Sequence, residues 1–504
     1  MRLAPLTLFV ALLCSRAAQA GVVPSPFEQP MSATWPAINR WSDSLEREYS
    51  DFARRLGAAV AERRCHQLDQ CLRSPEANAL YDPATDARLT LTLDCADLPY
   101  VLRAYFAFKR KLPFGFVARV DAPGDRDVRY AVGVTPREWK TWRDFRTPRE
   151  LIEHMVNFVH SGMYRVAPDV ESSDFYPLAA DRRAIVPGTI FYDPNGHVLV
   201  VTDVRGDGVI HLIDGHPDGT LTSKRFGEAF VVGSARLGGG FKGYRPLALR
   251  DGRLVRAPNH DLQFFDAHAQ YDARSHVIDN VRVNYHAWIR WTLAETHAPV
   301  DPVVELREQV RALCADVTDR VEAVDLAIAA GYASRPHPPT LPSNIYGTSG
   351  EWEVYSTPSR DARLKAAVRE LHRLVASLPD LRERAPALRA AWQEEAARPE
   401  CQFSYRNSLG QPVPLPLDAV LDRLFALSFD PWSCSERRWG AREGSAEMAS
   451  CTDGADKRNW YRLEERLRNR IDRDYGGPTP LDSGPASAPA IDVRPLLLGA
   501  MSGS

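Results

Sequence analysis

Apolar and polar positions follow helical spacing in several parts of the chain. Between residues 41 and 71, apolar side chains recur at intervals of three and four, which is typical of an amphipathic helix. A second stripe comprises Leu98, Val101, Leu102, Tyr105 and Phe106. Residues 302 to 470 are again mostly helical in pattern. The sequence therefore predicts helices in both halves, with the C-terminal half mainly helical.

Three short apolar runs between the first helices and the C-terminal half predict β-strands. Turn-forming stretches separate them, Asp193-Pro194-Asn195-Gly196 and Arg205-Gly206-Asp207-Gly208. The predicted strands cover residues 187–192, 197–204 and 209–214. Antiparallel pairing of Val204 with Val209 places His197 and Asp214 diagonally on one face. A turn centred on Asp207-Gly208 shifts Asp214 by one step but keeps that face.

Two further segments have patterns of their own. Residues 351–355 mix aromatic and acidic side chains, and on a strand Glu351 and Glu353 would share a face. Ordinary packing is the expected role of these residues. The last residues, from 476 to 504, are rich in Gly, Pro, Ser and Ala and are expected to be disordered.

Length and charge narrow the class of protein. The chain has 504 residues, which suggests two or three domains. Its 63 Lys and Arg nearly balance 65 Asp and Glu, whereas a nucleic-acid-binding protein concentrates basic residues on one face. We therefore expect no nucleic-acid partner.

The first twenty residues have the features of a secretory signal peptide. Arg2 precedes an apolar stretch, residues 3–14, that is too short to span a bilayer, and Ala18-Gln19-Ala20 matches a cleavage site. Leu13 stands where a lipoprotein anchor at Cys14 requires a small residue. The sequence predicts cleavage after Ala20, a periplasmic or secreted protein, and no membrane span in the mature chain.

Seven cysteines follow this leader, so an oxidising compartment leaves at least one unpaired. Proximity in sequence or in predicted domain suggests three pairs, although six cysteines allow fifteen connectivities. The suggested pairs are Cys65 with Cys71, Cys314 with Cys401, and Cys434 with Cys451. Cys95 is the residue left over.

Cys95 lies at the predicted start of a helix. Asp94 is a plausible N-cap, and Pro99 has no N–H to donate to the Cys95 carbonyl, so Cys95 is placed at or just before the first turn. Unpaired N–H groups and the helix dipole favour an anion there. The sequence therefore predicts a thiol with a lowered pKa and a nucleophilic role, although a buried or disulfide-bonded cysteine is the common alternative.

The predicted strands supply the partners that such a nucleophile needs. His197 begins the second strand and could act as the base, and Asp214 could orient its imidazole. His216 competes with Asp214 for the orienting role. Taken singly, these residues are also common in turns. A metal site built from His197, Asp214 and His216 would need a further ligand, so we predict no metal and no cofactor.

The order of cysteine helix, histidine strand and polar strand resembles the papain-like fold of secreted cell-wall peptidases and amidases of the NlpC and CHAP groups. Asp94-Cys95 resembles their Asp-Cys pair, and residues 187–198 resemble their Gly-Asp-hydrophobic … Gly-His-Val hairpin, with Thr189 where Asp is usual and Ala96 where Ser is common. The cysteine helix is also similar to that of transglutaminase-like proteins. The resemblance covers residues 80 to 245.

This resemblance implies an α+β fold, with a cysteine-bearing helix on a small antiparallel sheet and a disulfide-stapled helical domain added. It implies amide hydrolysis by Cys95, His197 and Asp214, supported by Asp94 and His216, with peptidoglycan stem peptides or another envelope amide as substrate. The alternatives are a transglutaminase-like acyl transferase and a non-enzymatic cell-envelope binding protein. The expected divisions are residues 1–20 (signal peptide), 21–79 (arm and helix), 80–250 (hydrolase domain), 251–475 (helical domain) and 476–504 (tail).

Overall fold

The structure is a computed structural model that describes residues 35–124, 126–347, 350–475 and 477–498. The predicted signal peptide and Cys14 lie outside the described residues.

Four helices precede the strands: α1 (Asp43–Ala61), α2 (Leu68–Arg73), α3 (Pro83–Asp86) and α4 (Asp97–Lys109). The periodicity of residues 41–71 thus corresponds to two helices rather than one. The chain leaves α1 through Arg63, whose φ is +54°, and the Cys65–Cys71 disulfide closes the turn that leads into α2.

Helix α1 forms as its sequence pattern predicts. The Ser42 side chain accepts a hydrogen bond from the Leu45 amide at its start, and Tyr49, Phe52 and Leu56 are buried. Gly57 allows the helix to lie directly on the sheet, because a Cβ at this position would be 2.2 Å from Thr202 Cβ.

The strands of the N-terminal half form a two-stranded and a six-stranded antiparallel sheet. The smaller pairs β1 (Gly115–Asp121) with β2 (Thr135–Thr141), which is followed by α5 (Pro148–Phe158). The strands of the larger sheet are β3 (Phe175–Pro177), β4 (Ile190–Asp193), β5 (His197–Val204), β6 (Ile210–Gly215), β7 (Leu221–Arg225) and β8 (Gly240–Tyr244). Their order across the sheet is β3-β8-β4-β5-β6-β7.

The register of β5 and β6 differs from the predicted one near the turn that connects them and agrees with it near the other end, where β5 begins and β6 ends. Val204 pairs with Ile210 rather than with Val209. An irregularity between Val201 and Asp203 then shifts the pairing by one residue, so that Val200 lies opposite Ile213. A β-bulge adds one residue to one strand, and here it restores the predicted alignment where His197 and Asp214 lie.

The C-terminal half is mainly helical, as predicted. It begins with two small hairpins, β9 (Leu247–Arg250) with β10 (Arg253–Arg256) and β11 (Val277–Ile278) with β12 (Val281–Arg282). A third hairpin pairs β13 (Gln402–Arg406) with β14 (Pro412–Pro416). The helices are α6 (Tyr285–Leu293), α7 (Pro302–Ala329), α8 (Glu351–Tyr355), α9 (Pro358–Ala376), α10 (Leu381–Ala396), α11 (Leu417–Asp422), α12 (Ser435–Arg438), α13 (Ala455–Leu463), α14 (Glu465–Asn469) and α15 (Arg494–Leu497).

Both faces of the six-stranded sheet are covered. On one face Val198 and Val200 pack in a core with α1 and α4. Helix α4 is therefore buried on nearly all sides, whereas its sequence pattern predicts a single apolar stripe. On the other face Leu199 and Val201 pack with α6. Residues 285–293 thus belong with the sheet, beyond the predicted boundary at residue 250, and the separate helical core begins with α7.

Two sequence expectations in the C-terminal half differ from the structure. Residues 351–355 form the short helix α8 rather than a strand, with Trp352 buried. The tail is ordered where it is described, because Ile491, Val493 and Leu497 are buried in the core around α7. Composition alone does not reveal these few apolar residues, which are buried individually in a segment rich in Gly, Pro, Ser and Ala.

The structure confirms the mixed α+β class, with helices and small antiparallel sheets. Among the described helices, none has the length and apolar character needed to cross a bilayer. The three suggested cysteine pairs are all disulfide-bonded, Cys65–Cys71, Cys314–Cys401 and Cys434–Cys451. Within the described residues Cys95 is the free cysteine.

Candidate active site

Cys95 occupies the turn immediately before α4, which is the position that the sequence predicts. The Asp94 carboxylate caps the helix: its Oδ1 accepts hydrogen bonds from the amides of Ala96 at 2.8 Å and Asp97 at 3.1 Å. The Asp97 carboxylate accepts in return from the Asp94 amide at 3.1 Å. This reciprocal capping fixes the loop that carries the thiol.

Two contacts hold the cysteine loop against the sheet. The Tyr164 hydroxyl donates to the Ala96 carbonyl at 2.6 Å. Gly215, the last residue of β6, lies so close to the loop that a Cβ there would be 2.8 Å from the Asp94 carbonyl oxygen. The absence of a side chain at Gly215 therefore lets the cysteine loop approach the end of the strand that carries Asp214.

His197 and Asp214 are directly hydrogen-bonded. His197 is the first residue of β5, and its Nε2 lies 2.7 Å from Asp214 Oδ2. Asp214 has no exposed surface, and its other oxygen accepts a hydrogen bond from the Thr222 hydroxyl. The Nε2 proton of His197 is thus held by the carboxylate, which leaves Nδ1 as the nitrogen with a free lone pair.

The sulfur of Cys95 lies beside the backbone on both sides of His197. Sγ is 4.0 Å from the Gly196 carbonyl oxygen, and the Val198 amide donates towards the thiol. Cys95 and His197 also line the same cavity. The three residues that the sequence singles out as catalytic are therefore assembled in one place.

The two supporting candidates take different positions around these three. Asp94 is committed to helix capping, as described above. His216 Nε2 lies 3.2 Å from the Thr222 hydroxyl and 3.6 Å from Asp214 Oδ1. Asp214 thus has an imidazole on each side. His197 is hydrogen-bonded to it directly, whereas His216 is connected to it through the Thr222 hydroxyl, which donates to Asp214.

The pKa of Cys95 differs from the sequence prediction. Burial raises the pKa of the Cys95 thiol well above its usual range, and the negative charges of Asp94, Glu353 and Asp214 raise it further. The helix dipole does not prevail, because the first amides of α4 are used by Asp94, whose own carboxylate adds a negative charge beside the sulfur. The resting residue is a neutral thiol.

The pKa values of His197 and Asp214 are also shifted from their usual ranges. Burial lowers the pKa of His197, and Arg363 lowers it further, against the opposing influence of Asp214. Burial acts to raise the pKa of Asp214, but His216 and His197 outweigh it and hold that pKa well below the usual range. The site therefore rests as thiol, neutral imidazole and carboxylate. It is suited to proton transfer in step with nucleophilic attack rather than to a preformed thiolate–imidazolium pair.

The C-terminal half forms the opposite wall of the cavity, which has a volume of about 110 Å³. The N-terminal half contributes Asp94, Cys95, Asn195, Gly196, His197, Gly215, His216 and Pro217, and the C-terminal half contributes Ile345, Tyr346, Glu353, Ser356, Pro358, Ser359, Arg360, Arg363 and Tyr475. From the sequence, Glu351 and Glu353 can be considered as paired carboxylates for sugar hydrolysis, but packing is the expected role of their segment. The arginines were not identified. No local motif marks residues that are brought to the site by long-range packing.

Glu353 is a residue of this second wall whose charge acts on the Cys95 thiol. Burial, together with the charge of Asp94, raises the pKa of Glu353 to about 7. The cavity thus gains a negative charge from Glu353 as pH rises through neutrality.

Comparison with protein-family models, with curated proteins and with solved structures finds no match to this chain.

Proposed function

We propose that the protein is an exported cysteine hydrolase with a papain-like site, which cleaves an amide bond through Cys95, His197 and Asp214. The observation that carries the proposal is the 2.7 Å hydrogen bond between His197 Nε2 and the buried Asp214 carboxylate, with the free thiol in the same cavity, 4.0 Å from the carbonyl oxygen of Gly196. A nucleophile, a base and an orienting acid in this order are the parts that thiol-dependent acyl transfer needs.

The reaction would proceed in two balanced halves. Cys95 Sγ attacks the amide carbonyl carbon while its proton passes to His197 Nδ1, and the tetrahedral intermediate then collapses with cleavage of the C–N bond as that proton passes to the leaving amine. Water next attacks the thioester and gives a proton to Nδ1. Cleavage of the C–S bond releases the acid and returns the proton to sulfur.

The compartment suggests the substrate class. Three disulfides fit an oxidising environment, and the sequence predicts a cleaved leader. Outside the cytoplasm, peptidoglycan stem peptides are an abundant source of amide bonds, and the resemblance to cell-wall amidases favours them. This choice of substrate rests on analogy of site and compartment.

A cell-envelope binding protein that keeps the fold without activity is the competing hypothesis. The observation in its favour is the raised pKa of Cys95, because a neutral buried thiol is a weak nucleophile. A transglutaminase-like acyl transferase would use the same three residues and differ only in the acceptor of the acyl group.

Digestion of purified peptidoglycan separates these functions. We expect the mature protein to release peptides with new amine termini, and Cys95→Ala and His197→Gln to release none. His211→Gln is the matched control, because His211 is on the same hairpin and outside the cavity. Incorporation of an added amine in place of hydrolysis would identify a transferase. Equal behaviour of wild type and Cys95→Ala on every amide substrate would leave only the binding function.

A further inference from the structure

Arg363 on α9 is a buried cation without an anion of its own. Its side chain lines the candidate active-site cavity, yet the residue is only 7% exposed. Within the described part of the chain it forms no side-chain hydrogen bond and no ion pair. A buried charge is costly unless it is paired, so an unpaired guanidinium that borders a cavity calls for a ligand.

The neighbouring arginines are paired, which makes Arg363 distinct. The guanidinium of Arg360 lies 3.4 Å from Asp218 Oδ2, and that of Arg473 lies 2.9 Å from Asp193 Oδ2. Asp214 and Asp316 are carboxylates whose charges reach Arg363. His197 and Thr222 already hold Asp214, and Asp316 pairs with Lys224 at 2.7 Å. Among the arginines that line this wall, Arg363 is therefore the one without a carboxylate of the described residues at ion-pair distance.

Guanidinium has a definite ligand preference. Its planar set of N–H donors matches a carboxylate, to which it can donate two parallel hydrogen bonds. We propose that Arg363 binds a carboxylate of the substrate, so that the cavity selects acidic peptides over their amidated forms; this choice of substrate rests on the proposed hydrolase function.

The position of Arg363 also connects binding to the base. Its charge contributes to lowering the pKa of His197, and a carboxylate bound to it would offset that charge. The His197 imidazole would then be a stronger base with an acidic substrate present than in the empty site. Recognition of the carboxylate thus favours the thiol-to-imidazole proton transfer that starts the reaction.

Alkylation of Cys95 tests the proposal without requiring turnover. Iodoacetate carries a carboxylate and iodoacetamide the matching neutral amide, so the ratio of their rates at Cys95, normalised to that of free cysteine, reports attraction of the anion. We expect Arg363→Met to lower this ratio about tenfold. Arg363→Lys should give an intermediate value, because it keeps the charge and loses the paired donors.

Arg369→Met is the matched control for these variants. Arg369 is on the same helix, outside the cavity, and pairs with the exposed Asp472. Its ratio should equal that of wild type. Arg363→Met replaces a buried unpaired charge with an apolar chain of similar length, so the variant should fold with unchanged or higher thermal stability. A ratio that is the same in folded Arg363→Met and in wild type would overturn the proposal.

If Cys95 reacts with neither iodoacetate nor iodoacetamide, equilibrium binding tests whether Arg363 binds a carboxylate. N-acetylglycine and N-acetylglycinamide are titrated into full-length Cys95→Ala, with and without Arg363→Met. The proposal expects tighter binding of the acid and loss of that preference with Arg363→Met, and equal or absent binding of both probes contradicts it.

Hydrolysis assays keep the two proposals separable. Cleavage of an acidic peptide and of its amide at equal rates would refute carboxylate selection while leaving the hydrolase function intact. Cleavage of neither peptide, together with an Arg363-dependent alkylation ratio, would refute the hydrolase function and keep Arg363 as an anion-binding residue.

Discussion

At the scale of single residues, the environment of Asp214 determines what His197 can do. The carboxylate is fully buried and is hydrogen-bonded to His197 and to the Thr222 hydroxyl, and His216 Nε2 lies 3.6 Å from its Oδ1. These partners keep it ionised, so it fixes the His197 tautomer with Nδ1 free to accept a proton. In the proposed mechanism Asp214 therefore has the orienting role, and His216 contacts the Thr222 hydroxyl that donates to Asp214.

Replacing Asp214 by Asn tests this role. Asp214→Asn keeps the shape but removes the charge, and the amide can favour the wrong imidazole tautomer. We expect amide hydrolysis to fall by roughly 10³–10⁴-fold. Steady-state kinetics measure the loss, and Asp203→Asn on the neighbouring strand is the control. A loss below tenfold would assign the orienting role elsewhere.

Glu353 gives the site a defined pH dependence. The carboxylate raises the pKa of the Cys95 thiol, and it is ionised mainly above its own pKa of about 7. Because a raised thiol pKa means less thiolate at a given pH, removing this charge should increase thiolate above pH 7 and change little below it. Glu353→Gln should therefore speed iodoacetamide labelling of Cys95 at pH 8 to 9 by several-fold.

The matched control for Glu353 is two residues away. Glu351 is on the same short helix but is exposed, so Glu351→Gln should leave the labelling profile unchanged. Identical profiles for wild type and Glu353→Gln would show that Glu353 does not act on the thiol. In every form, labelling should continue to rise above pH 8.5, since burial keeps the pKa of Cys95 raised.

At the scale of elements, close backbone approaches place the cysteine loop on the sheet. Gly57 brings α1 onto β5, and Gly215 brings the loop before α4 onto the end of β6. The bulge near Thr202 then sets the register that puts His197 and Asp214 within hydrogen-bonding distance. Each approach joins segments that are far apart in the chain.

Gly215→Ala should separate the effect of the position of the cysteine loop on hydrolysis from its effect on the unfolding free energy. The added Cβ would meet the Asp94 carbonyl oxygen at 2.8 Å, so the cysteine loop must move away from Asp214. We expect a cost of about 1–3 kcal/mol in unfolding free energy. Hydrolysis should fall far more than that stability loss explains.

Chemical denaturation and kinetics on the same preparation check this expectation. Gly454→Ala is the control, since a Cβ there meets nothing within 4 Å. Wild-type activity in Gly215→Ala would show that the loop can yield without disturbing the catalytic group.

At the scale of the whole molecule, two packed halves share the cavity. The sheet and its covering helices carry Cys95, His197 and Asp214, the proposed catalytic residues, while α8, α9 and the segment around Tyr475 complete the wall. The core of the C-terminal half is tied by Cys314–Cys401, which joins α7 to the segment before β13. The rigidity of that core therefore bears on the position of Arg363.

Removal of disulfides should show which half depends on them more. The Cys314–Cys401 bridge spans 87 residues and Cys65–Cys71 only 6. Because the entropy of the unfolded chain falls with the logarithm of loop length, loss of the longer bridge should cost about 2 kcal/mol more. Paired Cys→Ala variants compared by urea unfolding measure this difference, and equal costs would contradict the loop-entropy argument.

Part of the fold and site could be predicted because the signals are local. Alternation and turn residues define β5, and the run around Asp94 and Pro99 places Cys95 before a helix. Proximity in sequence suggested Cys65–Cys71 and Cys434–Cys451, and location in the same predicted domain suggested Cys314–Cys401. The pKa of Cys95 could not be predicted, because it depends on burial and on Glu353, more than 250 residues away in the chain.

The sequence by itself determined which residues could act as nucleophile, base and orienting acid. Neighbouring residues encode helix starts and hairpins, and the odd number of cysteines after the predicted leader leaves at least one thiol unpaired. Only the tertiary structure decided the charge state of the thiol, the register of the hairpin at its active end and the arginine-bearing wall opposite. Desolvation and Coulomb interactions act through space, so their magnitude depends on which distant segments folding brings together.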